Sequence, residues 1–339
     1  MENEIFTFRI TANFSTLLLV VYFFATQNVF LKKTPPLDIK KFAAIDIGSN
    51  SIRLLIEHVM ETEKEVMFKK NSLVRVPIRL GSFAFTDHKI PEASIKRLVD
   101  AMKGFKHLMR ANDVLHYKGA ATSAMREAQN GDDVVRHIEQ EAGIKIAVIS
   151  GAAEAGMIFS SQQSFASKLK ENCIFIDVGG GSTEMTIFSK GEVVSVKSFD
   201  IGTIRILNGL VAKETWKDMR EWLKKSTTKL NNFSIVGSGG NINRIAKLAQ
   251  LKLGKSMPVS TLEQIITDLR PLSLQERMSR FDLNPDRADV IVPAGEIFLN
   301  IMKWAGATKI YIPKIGLSDG MIREVYAEYK LGKISTLEE

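Results

Sequence analysis

The 339-residue chain has one cysteine, Cys173. No disulfide can close within it and no cysteine-based metal site can form, which fits a reducing compartment. Cys173 opens an apolar run and reads as a small core side chain. Histidine is also scarce, at five, and no His or Cys cluster exists, so any metal would rest on hard oxygen ligands. Aromatic residues make up 8% and nowhere interleave with basic ones as a nucleic-acid surface would require. Acidic residues are outnumbered, giving a net charge of +8. That balance would favour an anionic partner such as nucleic acid, a membrane surface or polyphosphate, but charge alone does not choose, and a merely well-solvated basic surface is the readier account of it.

Long hydrophobic runs are absent but for one. Phe14 to Leu31 is largely apolar, with Asn13, Gln27 and Asn28 at its edges and Lys32-Lys33 and Pro35-Pro36 beyond. It is short of the roughly 20 residues a bilayer span needs. As a secretory signal it lacks a basic n-region and a small-x-small site. Two readings stand: a short membrane anchor with a cytoplasmic C-terminal side, or a start codon assigned upstream of a true start near Lys40. Residues 1–41 are set apart from the catalytic body in both.

What is present is punctuated by glycine. Ile174-Phe175-Ile176-Asp177-Val178-Gly179-Gly180-Gly181-Ser182-Thr183-Glu184 reads as strand, tight turn, strand. The glycines let backbone N–H groups approach an anion closely. Asp177 ends a buried strand in position for a divalent cation, and Ser182 and Thr183 can donate to phosphate oxygens. The same grammar occurs roughly 130 residues earlier, in Ala44-Ile45-Asp46-Ile47-Gly48-Ser49-Asn50-Ser51-Ile52-Arg53. A third turn, Gly237-Ser238-Gly239-Gly240-Asn241, follows later. One such turn is weak evidence, since most mark a bulge or bend. Two Asp-Gly-hydroxyl hairpins and a third turn suggest related half-domains facing each other across a phosphate.

With Ile149-Ser150-Gly151, Glu154-Ala155 and Leu317-Ser318-Asp319-Gly320, these motifs make the sequence resemble the exopolyphosphatase/guanosine pentaphosphate phosphohydrolase family, of the actin-like ATPase superfamily. The resemblance runs from Phe42 to the C-terminus. It implies an α/β fold of two ribonuclease H-like domains of the actin, Hsp70 and sugar-kinase type around a cleft. Residues 42–160 would form the first and 161–339 the second, with the final helix, about 318–332, packing back on the first. Helix–strand alternation agrees with α/β. The stripe Ile95, Leu98, Val99, Met102, Phe105 and Leu108 marks a helix after Pro91.

The resemblance also assigns roles. Glu154, after Ser-Gly and at a helix start, matches the general base that activates the attacking water; read alone it is an ordinary first-turn glutamate. Phosphoryl transfer further needs charge neutralisation and donors around the equatorial oxygens. Asp46, Asp177 and Glu184 would hold Mg²⁺ or Mn²⁺, with Glu184 and Arg126 joining Glu154 as catalytic groups. Gly48, Ser49, Asn50, Arg53, Thr122, Gly179, Gly180, Gly181, Ser182, Thr183, Gly239 and Gly240 would bind phosphate. Arg75 and Arg79 lie in a segment the family uses beside its substrate, and read equally as solvated edge charges. The chain departs from the family at Ala153 and Gly156, where relatives carry an acid and an arginine, which opens the way to reduced activity or altered preference. Asn241 stands where several relatives have threonine, so the third turn does not secure nucleotide binding.

The expected function is metal-dependent release of orthophosphate from inorganic polyphosphate. Removal of the 5′-γ-phosphate of guanosine pentaphosphate (pppGpp) is the nearest alternative. A non-hydrolytic, actin-like ATP-binding regulatory protein is an alternative of another class, against which the water-activating Glu154 argues. A cytoplasmic homodimer without nucleic acid completes the expectation, with membrane contact only if the N-terminal run is an anchor.

Overall fold

The computed structural model describes residues 39–62, 65–169, 172–228, 230, 232–252 and 255–333. The apolar N-terminal run lies outside the described residues. Among those described, no helix is long and apolar enough to cross a membrane. Ile39 and residues 60–62 and 65–67 fall in a separate small unit, whose described part is mainly the far end of one hairpin. All that follows concerns the large unit, residues 40–59 and 68–333.

Two sheets organise it. The first is built from β1 (Ile39–Ile47), β2 (Ile52–Glu61), β3 (Val66–Val76), β4 (His116–Ala121) and β5 (Ala147–Val148), in the order β3-β2-β1-β4-β5. The second contains β6 (Asn172–Val178), β7 (Thr183–Ser189), β8 (Glu192–Phe199), β9 (Phe233–Ser238), β10 (Ser256–Pro258) and β11 (Lys309–Tyr311), in the order β10-β11-β9-β6-β7-β8. Read from β8, the second sheet repeats the first: a three-strand meander, then two parallel strands reached by helical crossovers. Strand β10 is an added antiparallel edge. This strand order meets the expectation of two ribonuclease H-like halves.

Apolar residues explain the layering. Strands β1 and β6 are buried on both faces, so they read as continuous apolar runs rather than alternating ones. One face of the first sheet packs on the helices Glu92–Ala111 and Gly131–Ala142 through Ile45, Leu54, Leu98, Phe105 and Ile138. Its other face, with Phe42, Leu55 and Ala120, is covered by Ile158 and by Leu317, Met321, Ile322, Val325 and Tyr326 of the helix Leu317–Lys330. In the second sheet Ile174, Ile176, Met185 and Ile235 pack on Ile242, Ile266, Phe298 and Ile301. Its opposite face, Phe175 and Phe188, meets Phe159 and Phe165. The helix Gly151–Leu169 therefore contributes to both halves, Ile158 to the first sheet and Phe159 to the second.

Some local expectations shift. The strand expected over Lys145–Ile149 is only Ala147–Val148, because this edge is exposed. The helix expected from Ile242 to Leu253 starts at Gly239 and ends at Leu248. Glycine's poor helix propensity hides the true first turn. The extended reading of Asn71–Gly81 holds as strand to Val76, after which a helical turn, Gly81–Ala84, begins.

Candidate active site

The two Asp-Gly hairpins make the same turn. Gly48 N–H donates to the Ser51 carbonyl at 3.2 Å, and Gly179 N–H to that of Ser182 at 2.9 Å. Their tips oppose each other: a Cβ added to Gly180 would lie 3.0 Å from the Ser49 Cβ and 3.3 Å from the Asn50 nitrogen. Behind each aspartate runs the parallel neighbour that carries the next turn. Asp46 is in register with Ala120, ahead of Thr122 and Ser123, and Asp177 with Ser238, ahead of Gly239 and Gly240. At Gly239, φ is +86° and a Cβ would press on the Asp177 carboxylate, so glycine is required there on both counts. These turns line a cleft open to solvent.

The hairpins differ in charge. In the first, Arg53 donates to Asp46 Oδ2 at 3.0 Å. In the second, the residue opposite Asp177 in the ladder is Glu184, a like-charge pairing that is costly unless a cation enters. Glu184 Oε1 accepts from Ser198 at 2.8 Å, and Asp177 Oδ2 from Ser238 at 2.6 Å. Glu154 stands at the first turn of the 151–169 helix, 9% exposed, with Oε2 buried and without a partner.

Burial raises the proton affinity of all four carboxylates. Glu154 is held well above the usual range by burial, then by the charges of Glu184, Asp46 and Asp177, against Arg126. Burial lifts Glu184 to about 7, opposed by hydrogen bonds from Ser182 and Ser198. Asp46 and Asp177 are raised by burial against the pull of Arg53. Such a cluster is short of positive charge, and its donors are all oxygens, so a hard divalent cation such as Mg²⁺ fits it. The fit is not a closed cage: among the described residues no group of three or more His, Cys, Asp or Glu side chains is placed to hold one ion. Asp46, Asp177 and Glu184 each have one oxygen on a side-chain donor, Arg53, Ser238 and Ser198 in turn. A cation here would keep water and phosphate oxygens among its ligands, the usual state of Mg²⁺.

Of the residues expected from the sequence, Asp46, Gly48, Ser49, Asn50, Arg53, Thr122, Glu154, Asp177, Gly179, Gly180, Ser182, Gly239 and Gly240 line the cleft. Thr183 does not: its hydroxyl donates to the Ile201 carbonyl at 2.6 Å, fully buried. Gly181 packs instead against Ser123 and the Phe85 ring. Glu184 is buried and is not among the residues that line the cleft, and its charge helps raise the proton affinity of Glu154. Arg126 donates to the Ile149 carbonyl at 2.7 Å, fixing the end of the segment that leads into the Glu154 helix.

A second wall of the cleft is basic, and sequence reading largely missed it. Lys70, Arg75, Arg287 and Lys314 line it with Asn241 and Asn243. Arg75 pairs with Asp286, yet its Nε and Nη2 are buried without partners. Arg287 donates to Asn241 Oδ1 at 3.1 Å, and burial together with Arg75 and Arg53 pushes it down to about 9. A guanidinium destabilised to that degree favours an anion beside it. The signal available in the sequence was the basic residue count, which says nothing about convergence.

A model of the Ppx/GppA phosphatase family matches residues 58–328. A bifunctional 3-dehydroquinate synthase/phosphatase of Fusobacterium nucleatum is 29% identical over 301 residues, covering 80% of this chain and 44% of that protein. Exopolyphosphatase 1 of Mycobacterium leprae is 21% identical, over 83% of this chain and 88% of its own length. A guanosine-5′-triphosphate,3′-diphosphate pyrophosphatase of Aeromonas hydrophila is 23% identical, with 83% and 58% covered. This chain thus spans about half the length of two of these relatives. Among solved structures, the Ppx/GppA family member of Aquifex aeolicus superposes with a TM-score of 0.68 at 25% identity, over 86% of this chain and 99% of that one. An exopolyphosphatase of Cytophaga hutchinsonii superposes at 0.73 and 22% identity, over 86% and 98%.

Proposed function

Because the chain belongs to the Ppx/GppA phosphatase family, we propose that it hydrolyses the terminal phosphoanhydride bond of inorganic polyphosphate and releases orthophosphate. The observation that carries the reading is Glu154: a buried carboxylate on the cleft wall with one oxygen free of protein partners. In that role its Oε2 accepts a proton from water lying in line with the terminal phosphoryl group. A raised proton affinity makes it a stronger base near neutral pH. Glu184 and Arg126 act through Glu154, one by its charge and the other by holding the segment before the helix. Ser49, Asn50, Ser182 and the N–H group of Gly180 supply donors for equatorial oxygens as charge redistributes. A divalent cation bound near Asp46 and Asp177 would neutralise phosphate charge. Arg53, Arg75 and Arg287 hold the retained phosphates.

The second reading is pppGpp as substrate. It is favoured by Arg287 beside the third glycine turn, where a nucleotide's further phosphates would need a cation, and by the name of the Aeromonas relative. One experiment separates the two. Phosphate release with Mg²⁺ is measured on long-chain polyphosphate, short-chain polyphosphate and pppGpp, for wild type and Glu154→Gln. Release from polyphosphate that collapses in the variant supports the proposal, and release from pppGpp alone transfers it to the second reading. If both proteins are inert on all three while ATP binds, a non-hydrolytic binding protein replaces it.

A further inference from the structure

Where the chain leaves β3 for the helical turn Gly81–Ala84, it passes through a left-handed arginine. Arg79 has a φ of +61°, which costs a residue with a Cβ and persists only where the surroundings over-determine it. Its neighbours Ile78 and Leu80 are buried in the core of the first sheet. Its N–H donates to the Asn50 carbonyl at 3.1 Å, and Gly81 N–H to the Ser49 carbonyl at 2.8 Å. A Cβ on Gly81 would lie 2.9 Å from the Ser49 Cβ. The tip of the first Asp-Gly hairpin therefore rests on residues 79–81.

The Arg79 side chain reaches across to the second half. Its Nη1 lies 2.5 Å from Oδ2 of Asp289, the residue that follows the helical turn Pro285–Ala288. The pair is half-buried, and the other Asp289 oxygen is buried without a partner among the described residues. The same turn touches the hairpin a second time, where Asn50 Nδ2 donates to the Asp286 carbonyl at 2.9 Å. Val290, next in the chain, is buried in the core of the first sheet. Ser49 and Asn50 line the cleft, and Arg79 and Asp289 are not among its lining residues. In this arrangement Arg79 is neither a substrate contact nor a loose edge charge.

We infer that the Arg79–Asp289 ion pair is a strut between the two halves: it holds Arg79 in its left-handed conformation and thereby sets the Ser49–Asn50 tip in place as a donor to an oligophosphate. Both are positioning residues, acting through the two backbone hydrogen bonds. The identity of the anion rests on the hydrolase reading; the strut does not.

The test is calorimetric binding of inorganic tripolyphosphate to wild type, Arg79→Gln, Asp289→Asn and the double variant. If the two residues acted only as charges near the cleft, losing Arg79 would weaken anion binding and losing Asp289 would strengthen it. A strut requires the same sign from both. Each single variant is expected to bind about three- to thirtyfold more weakly, and the double variant no more weakly than the weaker single. Asp289→Asn binding as tightly as wild type or tighter, or losses that add, overturns the inference and leaves the hydrolase reading standing. Amide hydrogen exchange reads the strut without any ligand. In either single variant the amides of residues 79 and 81 are expected to exchange about tenfold faster or more, with the Glu92–Ala111 helix unchanged. Unchanged protection at both amides, or an equal rise in that helix, overturns the strut. If tripolyphosphate does not bind wild type, the hydrolase reading falls and exchange alone decides the strut. In wild type, nitrogen NMR should show slowed rotation of the Arg79 guanidinium. Free rotation overturns the inference even if neither variant folds.

Discussion

At the scale of single residues the site is a contest between burial and charge. Glu154 has no carboxylate-matching cation of its own and leaves an oxygen unpartnered. Glu154→Gln removes the base and little else, so kcat should fall by about 10²- to 10⁴-fold with KM within about threefold, read by steady-state phosphate release. Glu57 gives a separate stability prediction. Its folded pKa, about 7, lies above the unfolded 4.5, so its contribution is fully present below the unfolded value and is lost as pH rises through the folded one. Relative to Glu57→Gln, wild type should therefore lose on the order of 1–3 kcal/mol between the two values, measured by urea unfolding across that range. The residues that local pattern could reveal were those of the hairpins, where Asp46 and Asp177 end apolar runs beside glycine. Which hydroxyl faces the cleft was not legible, because strand alternation turns Thr183 toward Ile201 while Ser182 meets solvent-side groups. Glu57 and Arg287 were invisible for another reason: each matters only through partners distant in sequence, Asp319 for one and Arg75 for the other.

At the scale of elements, the 151–169 helix positions the chemistry because two other elements position it. Arg126 holds the chain just ahead of it through the Ile149 carbonyl. The 317–330 helix lies against it so closely that a Cβ on Gly320 would overlap the Met157 carbonyl. Gly320→Ala should therefore destabilise the fold by about 1–3 kcal/mol. It should also lower kcat, since backbone cannot move aside as a side chain would and the Glu154 helix must shift. Thermal unfolding and phosphate release on one preparation check both. Arg126→Lys keeps the charge and loses the planar donor, and should lower kcat more than it changes Tm. Helices with clear apolar stripes, such as Glu92–Ala111, were legible from spacing alone. The start of the Gly239–Leu248 helix was not, because three turn residues precede its first apolar position.

At the scale of the whole molecule, the duplicated strand order carries two copies of one hairpin with opposite electrostatics, Asp46 with Arg53 and Asp177 with Glu184. Arg205 ties the copies together. Its Nε donates to the Gly181 carbonyl at 2.7 Å, its guanidinium lies 4.1 Å over the Phe85 ring, and it pairs with Glu127. Removing it leaves Glu127 short of its cation and the Gly181 carbonyl without a donor. Arg205→Ala should cost about 3 kcal/mol in chemical unfolding and loosen the approach of the two turns, seen as a raised KM.

The 317–330 helix closes the first sheet although it is made long after it. It leaves the ribosome roughly 270 residues after β1, which at about 5–20 residues per second is on the order of 15–50 seconds. Throughout that interval Phe42, Leu55 and Ala120 have no cover from Leu317, Met321 or Tyr326. The first half therefore waits for the second to be translated. For this nascent chain the vulnerable period falls between the synthesis of β1 and that of the 317–330 helix, and a holdase or chaperone gripping the open face of the first sheet would be acting on a half that cannot yet finish folding.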